Sequence, residues 1–170
     1  MTAPSMADAF GHHVWATTRL IDVCIELSPE QLATPVPGTY GSILDTQRHL
    51  VGSDAWYLLN ITRDRTLEIH EDLMDLRQLR SAMERNGPVW SRLLGDGFDP
   101  DTVVQRIDTG DGYETYATLG IRFAQALHHG TDHRSQICTA LTSLGAEPPS
   151  IDVWDFGVEV GRVVEVHPSS

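Results

Sequence analysis

The sequence predicts an all-α fold, a four-helix bundle with a small hairpin between its third and fourth helices. Three observations point to it. Apolar residues recur at steps of four and three through four separate stretches, the spacing that lines one face of a helix. Capping sequences open several of these stretches. Between the third and fourth, residues that favour strands flank Gly110-Asp111-Gly112, a turn signal.

The first helix is expected from Met6 to Leu27, with Ser5 at the start of a capping box and Met6, Phe10, His13, Thr17, Leu20, Cys24 and Leu27 on one seam. Ser28-Pro29-Glu30-Gln31 then opens a single short turn, because Pro is tolerated at the first helical position. Pro35, Pro37 and Gly38 mark a loop. A second capping box, Ser42 to Asp45, starts the second helix, which runs to Thr62. One of its faces carries Asp45, His49, Gly52, Ser53 and Trp56.

Leu73, Leu76, Leu79, Met83, Trp90 and Leu93 set the third helix, with Asn86-Gly87-Pro88 expected to kink or interrupt it. The hairpin follows, Val103 to Ile107 paired with Tyr113 to Tyr116. The fourth helix starts at Leu119 and is closed by Gly145 and Pro148-Pro149. The tail from Ile151 to Val166 is expected to form one short helix whose Trp154 and Phe156 cover a bundle end.

A chain of 170 residues is long enough to bury a core without disulfides or a metal, so a metal here would serve function rather than folding. Against 12 basic residues, all of them Arg, stand 24 acidic ones, for a net charge of −12. Such a surface repels phosphate backbones and anionic lipid, which argues against nucleic-acid or membrane partners. Without Lys there is no lysine base. Cys24 and Cys138 fall in apolar helical patterns and read as buried hydrophobes in a reducing compartment. With no leader pattern in Met1 to Phe10 and no run of membrane-span length, a cytoplasmic protein is expected.

The fourth helix holds the most informative stretch. Its seam runs Leu119, Phe123, Ala126, Gly130, His133, Ile137, Ala140 and Leu144, so His133 takes a core position. His129 lies one turn earlier, beside Arg122, Gln125 and Gln136. Two imidazoles four residues apart can bind one metal ion. The residues alone also allow a pair of core histidines satisfied by hydrogen bonds.

His49 near the start of the second helix, His129 and His133 leading into Arg134-Ser135-Gln136-Ile137, and the opening stretch from Trp15 to Leu32 together resemble the DinB/YfiT-like superfamily. The likeness spans nearly the whole chain. It implies a bundle of the DinB/YfiT type in which His49, His129 and His133 bind a divalent ion, usually Zn or Ni. Where the family commonly has a further His before the last ligand, this chain has Asp132. Members of known activity use low-molecular-weight thiols, as bacillithiol S-transferases or as mycothiol-dependent maleylpyruvate isomerase. The resemblance therefore implies a thiol co-substrate, a small electrophile and a homodimer.

Three neutral nitrogens would leave one coordination position open, as in catalytic zinc sites. Asp45, Asp132 and Gln136 are candidates to hold the ligands' other ring nitrogens. His13, on the core seam of the first helix, is a candidate acid, base or fourth ligand. Arg122 and Gln125 are candidates to grip a polar substrate. His12, His70, His128 and His167 read as surface or helix-edge residues. Two other functions fit these residues, a non-catalytic metal- or ligand-binding module and a metal-dependent hydrolase. An open ligand position beside a pocket would favour an enzyme, and four protein ligands would favour the module.

Overall fold

The structure, a computed structural model, describes residues 6–95, 97–164 and 166. Ser5 and His167, both given roles above, lie outside the described residues. The helices are α1 (Ala7–Ile25), α2 (Pro29–Ala33), α3 (Ile43–Thr62), α4 (Leu76–Gly95), α5 (Leu119–Ser143) and α6 (Val153–Glu159). Two 3₁₀ turns, Arg65–Leu67 and Glu71–Leu73, follow α3, and strands β1 (Val103–Gln105) and β2 (Tyr116–Thr118) precede α5. The molecule is mostly helical. α1 and α3 each pack against both α4 and α5, so the four long helices enclose one interior.

The seams fill that interior. Phe10, His13, Thr17, Leu20 and Cys24 are buried on α1, and Phe123, Ala126, Gly130, His133, Ile137 and Ala140 on α5. The apolar core falls into two clusters, one around Leu20, Leu50, Met83 and Ile137 and one around Phe10, Leu58, Trp90 and Phe123. Burying each such side chain contributes about 1.5–3 kcal/mol. On every long helix a buried polar residue falls in sequence between its members of the two clusters: His13, Asp54, Asn86 and Arg134. That polar layer sits at the level of the site.

Local signals place the helix starts. Ser28 with Gln31 and Ser42 with Asp45 form capping boxes, in which each side chain bonds the other residue's backbone N–H. α4 begins later than expected, because Asp75 and Gln78 cap it reciprocally. Leu73 instead falls in a 3₁₀ turn and is exposed. Pro88 does not interrupt α4, which stays helical from Leu76 to Gly95.

The hairpin is shorter than expected and its second strand starts three residues later, at Tyr116, with Val103 opposite Thr118 and Gln105 opposite Tyr116. Thr118 doubles as the N-cap of α5, its hydroxyl accepting from Ile121 N, which ties the strand to the helix start. In the tail Phe156 packs along α1, on His12 and Trp15, rather than over a bundle end. Trp154 is exposed, since α6 turns its other face inward. Among the described residues no helix is long and apolar enough to cross a membrane.

Candidate metal centre

His49 stands on the second turn of α3, and His129 and His133 stand one turn apart on the facing side of α5. Their rings converge. His129 Nε2 lies 3.1 Å from His49 Nε2 and 3.1 Å from His133 Nε2, and one ring nitrogen from each of the three falls within 4.8 Å of the others. Tetrahedral ligands at about 2.0–2.1 Å from one zinc ion would stand about 3.3 Å apart. The triad fits a metal ion with little adjustment.

The remaining ring nitrogen of His133 fixes which atom faces inward. His133 Nδ1 donates to Gln136 Oε1 at 2.9 Å, and the same oxygen accepts from Tyr40 N at 3.1 Å. That leaves the His133 Nε2 lone pair free toward the triad. Tyr40 also stacks on His49, with ring centres 4.1 Å apart and planes 8° from parallel. Tyr57 meets His129 edge to face at 5.8 Å.

Electrostatics favours the neutral form of two of these imidazoles, His129 and His49. Burial, then the neighbouring His133 and His49, pushes His129 down to about 4 from an ordinary 6.5. His49 is lowered mainly by burial and also by His133, with Glu71 opposing. Neutral imidazole is the form that ligates metal. The chain's own thiols are poor nucleophiles by comparison: burial raises Cys24 to about 11 and also raises Cys138.

Behind the triad lies the buried polar layer. Arg134 Nη1 donates to His13 Nδ1 at 2.8 Å, and His13 Nε2 lies 2.9 Å from Asp54 Oδ1. A guanidinium only donates and a carboxylate only accepts, so His13 carries its proton on Nε2. Asp54 also accepts from Asn86 Nδ2 at 2.8 Å and from Trp90 Nε1 at 3.1 Å. Gly130 makes this approach possible, since a Cβ there would lie 2.6 Å from His13 Nδ1.

A sequence model of the DinB family matches residues 2–159, nearly the whole chain. The chain belongs to the DinB family. No curated protein matches it. The histidine cluster of this DinB chain joins His49 to the α5 pair across a gap of 80 residues in sequence.

The other expected residues divide. Gln136 holds His133, but Asp45 spends its carboxylate on the Ser42 cap, at 2.6 Å from the hydroxyl, and Asp132 is exposed. Asp45 points toward its own helix start because the cap offers unbonded donors there. His13 has both ring nitrogens engaged in the buried layer and stands outside the triad. Arg122 Nη2 donates to Val104 O at 2.8 Å, and exposed Gln125 reaches the Tyr57 hydroxyl at 3.3 Å. Sequence reasoning missed Tyr40, Tyr57, Asp54 and Glu71. Tyr40 lies in a loop with no periodicity, whereas Gly52, a small residue one turn after His49, was a signal that something packs close there.

Proposed function

We propose that the chain is a divalent-metal-dependent enzyme that uses a low-molecular-weight thiol to transfer to, or isomerise, a small electrophile. On this reading the four long helices form one bundle of the DinB/YfiT type, and His49, His129 and His133 hold Zn or Ni. The observation that carries it is an open triad: the candidate group contains three ligands, and His49 lines a cavity of about 370 Å³. A fourth protein ligand would instead favour a storage or sensing module.

A divalent ion held there supplies a Lewis-acid centre that favours the ionised form of a thiol or water. For a thiol of pKa about 8.5, full ionisation at pH 7 is worth roughly 2 kcal/mol, or about thirtyfold. Most of the acceleration must then come from positioning the two reactants. His133, fixed by Gln136, and His49, stacked on Tyr40, hold the centre in place. Gln125 with Tyr57, and Arg122 one turn earlier on α5, orient a polar substrate group. His13 acts as a positioning residue, linking Arg134 beside the ligands to Asp54 on α3.

The net charge of −12 supports small-molecule partners over nucleic acid, and the fold's lack of a membrane-crossing helix among the described residues accords with cytoplasmic work. Homodimerisation is part of the same proposal. The test loads purified protein with zinc or nickel and measures conjugation of a generic electrophile with mycothiol, bacillithiol, glutathione and cysteine. One ion per chain and a rate lost in His133→Ala are expected. Equal rates for loaded protein, His133→Ala and buffer with all four thiols would leave the binding module ahead.

A further inference from the structure

The cavity beside His49 has a polar and an aromatic side. Trp56 supplies the aromatic surface, with Ser53, Glu68 and Glu71 around it, and no Arg lines the wall. Glu68 is exposed and faces Arg65 at 3.5 Å. Glu71 differs. It is half-buried, and among the described residues its carboxylate makes no hydrogen bond and no ion pair.

Its position is built rather than incidental. The carboxylate lies on the backbone of α3 at Gly52, one turn after His49, where a Cβ would stand 2.5 Å from Glu71 Oε1. A side chain at residue 52 would displace it. Partly shielded from water and in no ion pair among the described residues, this carboxylate is available to a cation that enters the cavity beside His49. The surface as a whole, at −12, concentrates cations. Trp56, which lines the same cavity, is a second attraction for an ammonium group.

We propose that this cavity binds the cationic end of the substrate, an alkylammonium or guanidinium, with Glu71 as counter-charge and Trp56 as aromatic wall. The assignment rests on the function proposed above only for the other end of the ligand, which reaches the triad. Glu71 sets which substrates are accepted.

The experiment compares three thiols of equal length, 3-aminopropanethiol, 3-mercaptopropanol and 3-mercaptopropionate, by calorimetry with zinc-loaded full-length protein. The amine should bind about tenfold tighter than the alcohol, as expected for one ion pair reinforced by an aromatic face, and the carboxylate weakest. In Glu71→Gln and in Gly52→Ala the amine and alcohol should bind alike, with zinc affinity and helicity as in the parent. Equal binding of amine and alcohol by the parent, or a preference kept in Glu71→Gln, overturns the proposal. Loss of zinc from Glu71→Gln also overturns it, by making Glu71 the metal's counter-charge.

A second arm uses metal-free protein and the Trp56 indole N–H resonance, assigned with Trp56→Phe. Propylammonium should shift it in the parent and not in Glu71→Gln, and propanol in neither. A Glu71-dependent shift with no thiol binding would refute the thiol function and uphold the cation site. Thiol binding without charge preference would do the reverse.

Discussion

Gly130 is the residue on which the site's supporting layer turns. It lies between the two α5 ligands in sequence and lets the His13 imidazole rest against the helix, within bonding distance of Arg134. A methyl group there would stand 2.6 Å from His13 Nδ1 and 2.9 Å from Arg134 Nη1. Helix propensity alone would make Gly130→Ala stabilising by about 1 kcal/mol. Overpacking costs about 1–3 kcal/mol and also breaks a buried bond, so the variant should be less stable by urea denaturation and should bind zinc more weakly. His129 carries a pH signature. Its folded-state value of about 4 lies below the ordinary 6.5, so the unfolded chain binds the extra proton first. The metal-free protein should therefore lose stability as pH falls from about 6.5 toward 4, and lose no more through this group below that. Denaturation midpoints measured across this range should flatten in His129→Ala; an unchanged slope would show that another group is responsible.

At the scale of elements, Asp54 joins three helices. From α3 it bonds His13 on α1 and both Asn86 and Trp90 on α4, and His13 passes the contact on to Arg134 of α5. Burial lowers Arg134 to about 10, which still leaves it charged at neutral pH, so the layer holds one buried cation and one buried carboxylate bridged by an imidazole. Removing one partner of such a set strands the other charge and costs about 3–5 kcal/mol. Asp54→Ala should show a loss of that size in denaturant melts. A cost near zero would mean water replaces the carboxylate. The capping box at Ser42 was legible in sequence because both partners lie within four residues, whereas at Ser28 only the helix start with its Pro was read and the reciprocal bond from Gln31 was missed. The start of α4 was misplaced because Leu73 matched the apolar step, while the Asp75 and Gln78 cap that outcompetes it was overlooked.

For the whole molecule, two apolar clusters on either side of the polar layer provide a core without the metal. Chelation should therefore lower the melting temperature of the zinc-loaded protein by the linkage amount and leave the helices intact at room temperature. Loss of far-ultraviolet helicity on chelation would make the ion structural instead. Of the three histidines, His49 lines the cavity beside α3, while His133 is buried in the interior.

Helix periods, caps and the seam that put His133 inside are local properties, fixed by spacing along one chain segment, and the sequence alone determined them. His49 and the α5 pair could be grouped from sequence only through the family likeness, because 80 residues separate them and no local rule says which helix faces which. Tertiary packing decided the rest: Tyr40 on His49, Arg134 on His13, and Glu71 against Gly52 each join residues from different elements. Side-chain hydrogen bonds depend on distances of a few tenths of an ångström between such elements, and spacing within one segment carries no information about them.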